Sequence, residues 1–287
     1  MQGRSDLMIE SAWLENGKVV TDGVSGKKGE TEGVAVKEEW NGEKSIKITS
    51  VQIRTPKAQE EMERPMGNYI TLEIPRLKEE GEKIRKAAEE CLNRQIRLLL
   101  EGKKAEHVLI IGLGNREVTA DAIGPFTVEN IFVTRHMIEE YKEVRESHKM
   151  VSALVPGVMA QTGMETMEII RAVVSEVKPD VVLVVDALAA RSVRRLATTI
   201  QLTDTGICPG AGIGNNRREL NEQTIGTTVI AIGVPTVLDA VGIASEDVVN
   251  DVKDLFVMPR GIDSSVRYIS EILAEGINLA NRRDGSE

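Results

Sequence analysis

The chain has 287 residues, of which 41% are hydrophobic and 28% charged, a globular composition that excludes a disordered or fibrous protein and suits one large α/β domain or two modest ones. Thirty-six Lys and Arg against 45 Asp and Glu leave a net charge of −9, which repels nucleic acid phosphates and anionic membranes. Aromatic residues are only 3%, so the core must be aliphatic.

No stretch approaches the roughly 18 to 20 apolar residues of a membrane span, and the start MQGRSDLMIESAW lacks the apolar core of a signal peptide. The expected location is the cytoplasm. Cys91 and Cys208 stand in no CxxC or other ligand spacing, and His107, His136 and His148 form no HExxH or HxH. A disulfide scaffold and a bound metal are therefore disfavoured, and the cysteines read as buried small hydrophobes or bystanders.

Residues 1–33 are polar, punctuated by Gly23, Gly26, Gly29 and Gly33, and read as a loose arm. From Val34 the segments VAVKEEW, SIKITSVQI and NYITLEI predict a β meander, which with the helix after it makes up a unit over 34–104; Val51 and Ile53 are shifted by one from Ile46 and Ile48, which suggests a bulge near Thr49. Ile84, Ala88, Cys91, Leu92, Ile96 and Leu99 recur at helical spacing within 78–101 and predict an amphipathic helix.

From 105 to 287 the texture is that of an α/β domain. Four aliphatic runs, VLIIG (108–112), VSALVPG (151–157), VVLVVD (181–186) and VIAIGV (229–234), do not alternate and so predict strands buried on both faces. Helices are expected over about 123–140, 164–177 and 262–283, and TTIQLTD (198–204) as an antiparallel edge strand. The predicted fold is a mostly parallel twisted sheet with helices on both faces, joined to the small N-terminal meander.

In open α/β sheets ligands bind beyond the carboxyl ends of the strands. After VLIIG the loop GLGNREVTADAIGP delivers Asp121, and after VVLVV comes Asp186. Two carboxylates on one rim could share a water, one removing its proton while the other protonates the leaving group. Local sequence also allows Asp121 to be a helix N-cap, and Asp186 to cap a turn or pair with Arg191. GLGN retains Gly112 and Gly114 but has Glu117 at the third glycine position of a dinucleotide loop, and GAGIGNN fails likewise at Asn215. These glycines are expected to allow close backbone approach, and no cofactor is expected. Arg191, Arg194, Arg195, Arg217 and Arg218 form either a solvated face or a site for an acidic substrate.

GLGNREVTADAIGP, VSALVPGVMAQTGMET, VVDALAARS, TIQLTDTGICPGAGIGN and TVIAIGVPTVLDA, in this order, resemble the germination protease family of spore-forming bacteria, which is distantly related to the hydrogenase maturation proteases. The resemblance covers about 105–245 and, more weakly, GVAVKEEW and LFVMPRGIDSSVRYISEILAEGINLA. It implies an endopeptidase that degrades small acid-soluble spore proteins in the forespore and spore core, made as a zymogen and assembled as a homotetramer. It places the catalytic aspartates at Asp121 and Asp186, with Gly112, Gly114, Asn115 and Arg191 in the active-site loops. It also implies self-processing in RSDLMIE between Asp6 and Leu7. The histidine that joins the acids at nickel in the hydrogenase proteases has no equivalent in the matching motifs. Longer relatives carry an added segment where this chain is short, near 251–256. The competing classes are a noncatalytic binding protein, opposed by the presence of both acids, and a nucleotide-dependent oxidoreductase, opposed by both failed glycine loops.

Overall fold

The computed structural model describes residues 5–11, 28–31, 33–79, 81–208, 219–244, 249–252 and 255–283. The strands are β1 Lys28–Thr31, β2 Val34–Trp40, β3 Lys47–Ile53, β4 Gly67–Glu73, β5 His107–Gly112, β6 Met150–Leu154, β7 Val181–Ala190, β8 Thr199–Thr203, β9 Thr228–Asp239 and β10 Phe256–Val257. The helices are α1 Pro56–Met62, α2 Glu82–Leu100, α3 Ile123–Glu129, α4 Arg135–Glu140, α5 Lys142–Ser147, α6 Met159–Thr162, α7 Thr166–Val177, α8 Glu222–Ile225, α9 Val249–Val252 and α10 Ile262–Ala280.

One sheet of ten strands runs through both halves of the chain, in the order β1-β2-β3-β4-β8-β9-β7-β5-β6, with β10 beside β9. Among the described residues, only β9-β7, β7-β5 and β5-β6 pair in parallel, and every other strand pairing is antiparallel. The expectation of a mostly parallel sheet is thus corrected to a mixed α/β sheet. The physical reason is β8: rather than lying at an edge, it hydrogen-bonds β4 on one side and β9 on the other, welding the antiparallel meander to the parallel strands.

The two faces are covered differently. Ile200 and Leu202 of β8, Val181, Leu183 and Val185 of β7, and Ile230, Ile232 and Val234 of β9 pack under α2, α3 and α10. The alternate residues Val182, Val184 and Val229 pack under α7. Gly276 of α10 seats directly on Leu92 of α2, where a Cβ would come within 2.7 Å of that leucine. Cys91 lies in this aliphatic core, and burial pushes its thiol up to about 11.

No bulge interrupts β3: its pairing with β2 and β4 is continuous from Lys47 to Ile53. The shift of apolar parity has another cause. Ile46 and Ile48 face the α2 side, whereas Val51 and Ile53 face a second cluster with Ala58, Met62, Tyr69 and Met8. The strand is buried on opposite faces in its two halves because different elements cover them. The helix expected over 123–140 is likewise two helices. Asn130 caps Phe126 O through its side chain at 2.9 Å, and Thr134 is pinned to β6 by its N–H on Val151 O (3.0 Å) and by the Val151 N–H on its hydroxyl oxygen (2.9 Å).

The described part of the arm is docked rather than loose. Leu7 and Met8 are 0% and 1% exposed, and 28–31 adds a strand beside β2. Leu7 sits among Leu188, Ala190, Leu196 and Leu238, which supply the apolar burial that a polar arm was expected to lack. Within 251–256 the described residues are the end of α9, Leu255 and the start of β10.

Candidate active site

The parallel register pairs Gly112 of β5 with Val185 of β7, and Leu113 N–H donates to Val185 O at 2.8 Å before β5 leaves the sheet. Asp186 is the next residue of β7, beyond the carboxyl end of its neighbour. It is not a strand tip, because β7 continues to Ala190 against β9. The Asp186 side chain is 5% exposed, and its Oδ1 accepts the Ala187 N–H at 2.9 Å. Opposite stands Gly233, where a Cβ would lie 2.5 Å from Leu188, so the missing side chain lets Leu188 pack beside the acid.

Asp121 ends the 3-10 turn Thr119–Asp121, and Ala122, not Asp121, is the N-cap of α3. The Asp121 carboxylate instead accepts Asn115 N–H at 2.8 Å. Asn115 Oδ1 in turn accepts from Glu117 N–H at 3.0 Å and Gln161 Nε2 at 2.9 Å. Two hydroxyls pin the turn, Thr236 on Ala120 O at 2.5 Å and Thr119 on Asp263 Oδ1 at 2.7 Å. It packs against β7 and β9.

The glycine loop makes close approach possible: a Cβ on Gly112 would lie 2.2 Å from Gly124 O, and one on Gly114, whose φ is +110°, 2.0 Å from Asp121 O. Gly114→Ala is expected to cost of the order of 3 kcal/mol, from strain plus collision with backbone. Gly102→Ala, at φ +74° but with nothing within 4 Å, is the control and should cost about 1 kcal/mol. Denaturant unfolding of both variants checks this; equal losses would remove the collision from the account.

Asp186 lines a cavity of about 210 Å³ together with Asp6, Arg64, Tyr69, Gln201 and Cys208; Asp121 is not among its lining residues. The cavity opens on the same face as Leu7, between the cluster under α7 and the cluster that Leu7 fills. Asp6 N–H donates to Ala189 O at 3.0 Å and Ala189 N–H returns a bond to Asp6 Oδ2 at 2.8 Å. Burial pushes the Asp6 carboxyl up, against the Ala189 N–H and the Arg64 charge that favour its ionised form.

Four residues later, Glu10 is 3% exposed and accepts Arg191 N–H at 2.7 Å, Ser192 N–H at 3.1 Å and the Ser5 hydroxyl at 2.6 Å. The Arg191 guanidinium also donates to Glu10 O. Arg195, 7% exposed, joins Glu10 (Nε to Oε1, 3.1 Å) to Glu73 of β4 (Nη1 to Oε1, 2.8 Å). The arginine group therefore divides: Arg191 and Arg195 hold an acid of this chain, Arg194 is exposed, and Arg217 and Arg218 lie outside the described residues, as does GAGIGNN.

Sequence reasoning missed Arg64, Glu10 and Gln201. A signal for Gln201 was present: it is the polar interruption of the TTIQLTD run, 7% exposed on a central strand. Among the described residues no group of three or more His, Cys, Asp and Glu is placed to hold a metal, and no helix is long and apolar enough to cross a membrane.

The germination protease family profile matches residues 14–253. A germination protease of Caldanaerobacter subterraneus subsp. tengcongensis is 40% identical over 96% of this chain and 93% of its own length. One from Clostridium tetani is 37% identical over 98% and 95%, and one from Bacillus velezensis 45% identical over 85% and 66%. The first two alignments run over 316 and 319 positions against 287 residues here, so those relatives carry residues that this chain lacks. With a profile spanning most of the chain and relatives this similar over nearly all of it, the chain belongs to the germination protease family, a family of peptidases.

Proposed function

We propose that this chain is a zymogen of an endopeptidase that degrades small acid-soluble spore proteins, works as a homotetramer in the forespore and spore core, and uses Asp121 and Asp186 to activate water. In this reaction one carboxylate takes a proton from water, the water oxygen bonds to the peptide carbonyl carbon, and the other acid protonates the leaving nitrogen as the C–N bond breaks. No cofactor enters this scheme.

The observation that carries the proposal is the position of the chain's own N-terminal segment. Asp6 lines one cavity with Asp186, and its neighbour Leu7 has extended backbone, φ −77° and ψ 127°, with its side chain in an apolar pocket. An acid followed by a buried leucine beside a candidate catalytic acid is the arrangement of a peptide held for cleavage, and cleavage between Asp6 and Leu7 would release the residues before it.

The raised Asp6 pKa sets the sign of the pH effect. A carboxyl whose pKa is higher when docked than when free takes up a proton on docking, so docking is favoured at low pH and weakens as pH rises through the docked value. Self-processing is accordingly expected to be faster in mild acid. N-terminal sequencing after incubation near pH 6 tests the proposal: a new terminus at Leu7 is expected in the parent and not in Asp186→Asn. A chain that degrades a small acid-soluble spore protein while still beginning at Met1 would remove the segment from the mechanism.

A further inference from the structure

Gln201 stands in the middle of β8 with a side chain that touches the docked segment twice. Its Oε1 accepts Met8 N–H at 2.6 Å and its Nε2 donates to Asp6 O at 3.2 Å. Met8 N–H can only donate, so Oε1 must face it and Nε2 must face Asp6 O; the amide has no choice of orientation. The two contacts bracket the Asp6–Leu7 peptide bond, one on its carbonyl oxygen and one on the amide that follows Leu7. Gln201 belongs to the same face as Asp186 and lines the same cavity.

A glutamine is out of place in such a strand unless its polar atoms are satisfied. Its neighbours Ile200 and Leu202 point into the aliphatic core, and it is paired between Thr71 of β4 and Gly233 of β9. At 7% exposure, each lost hydrogen bond would leave a buried amide atom unpaired. Both are satisfied by the segment.

We infer that Gln201 is a catalytic residue of this protease, the donor that binds the carbonyl oxygen of the scissile bond and stabilises the charge that develops there. This rests on the proposal above that Asp6–Leu7 is a bond the protein cleaves. When the water oxygen bonds to the Asp6 carbonyl carbon, the carbonyl electron pair moves onto oxygen, and Gln201 Nε2–H is already directed at it. The water proton goes to a carboxylate; the C–N bond then breaks, the Leu7 nitrogen takes a proton from the partner acid, and the oxygen returns to a carbonyl within the new Asp6 carboxyl. The donor is fixed in place before reaction because Oε1 is anchored on the substrate backbone, so it stabilises the transition state without reorganising. Both contacts are to backbone, and the same grip is available to any substrate peptide.

The test follows the first-order appearance of the Leu7 terminus in the full chain, across pH, in the parent, Gln201→Glu, Gln201→Met and Asp186→Asn. Gln201→Glu keeps an acceptor for Met8 N–H but, when ionised, has no donor for Asp6 O. Its rate at pH 7 is expected to fall by roughly a hundredfold or more, the usual size of a lost oxyanion donor. Protonation of the introduced carboxyl restores an O–H donor, so the deficit relative to the parent should shrink as pH falls. Asp6, Asp186, Glu63 and Glu219 line the cavity with Arg64, Tyr69 and Cys208, and the four acids favour that protonated form. Gln201→Met fills similar volume without polar atoms and should show the pH 7 deficit with no recovery in acid; it also carries the test if Gln201→Glu does not fold.

Self-cleavage of either variant within about threefold of the parent overturns the role of Gln201, and so does a Gln201→Glu deficit that is the same at every pH, which marks a purely structural loss. A parent chain that never yields the Leu7 terminus overturns the proposal that the segment is a substrate, and the role of Gln201 with it. In that case the failure shows in the parent before any variant is compared.

Discussion

Asp186→Asn is expected to lower both self-cleavage and the breakdown of a small acid-soluble spore protein by at least about a thousandfold, while the protein still folds. The substitution is isosteric, and the amide oxygen still accepts the Ala187 N–H now bound at 2.9 Å. What it removes is the ability to take a proton from water and return it, on a side chain that is 5% exposed and lines the cavity shared with Asp6. Asp121→Asn makes the parallel case, since the acceptor for Asn115 N–H survives and the acid does not. Fragment release and a melting curve, measured on the same preparations, decide the matter. A fold-matched Asp121→Asn protein with near-parental turnover would reduce that residue to a clasp for the glycine loop, and the same outcome for Asp186 would remove the two-acid mechanism.

Arg195→Met is expected to be strongly destabilising, costing about 3–5 kcal/mol because it removes the buried guanidinium that faces the buried Glu10 carboxylate. Glu10 and Arg195 are 3% and 7% exposed, and the guanidinium spans from Glu10 to Glu73. Without it Glu10 of the N-terminal segment loses the cation that ties it to β4, while Glu73 keeps Lys47 at 3.9 Å. Backbone N–H donors from Arg191 and Ser192 remain to Glu10, which limits the loss there. Arg195→Lys keeps the charge but not the fork, and should fall between the two. Denaturant unfolding measures the cost, and limited proteolysis of the N-terminal segment shows whether docking fails first. A loss below 1 kcal/mol would place this network with ordinary surface ion pairs.

Much of the sheet was legible because its signals are local. VLIIG, VVLVV and VIAIGV declare strands buried on both faces through composition alone, and the positions that follow the first two single out Asp121 and Asp186 as candidates, although Asp186 proves to lie within β7 and not at its end. The glycines of GLGN could be assigned to close backbone approach without knowing what approaches, and Gly124 O and Asp121 O turn out to be the partners. Amphipathic spacing likewise declared α2 and α10.

What the sequence could not carry were relations between distant residues. Whether TTIQLTD lies at an edge depends on which strands flank it, and those come from residues 67–73 and 228–239, one far before it in the sequence and one after it. The parity shift in SIKITSVQI looks the same whether a bulge or a change of cover causes it; only the packing of Met8 and α1 on one half and α2 on the other separates them. The N-terminal segment was misjudged for the same reason. A short run with Leu7 and Met8 among charged residues has no periodicity of its own, and its burial is provided by Leu188, Leu196, Leu238 and Tyr69 from four other places in the chain. Residue types and aliphatic runs thus determine which segments become central strands and which acids follow them in sequence, because that information is local; the folded chain decides what lies against those acids, because apolar pockets and backbone donors assembled from distant strands select the segment that fills them.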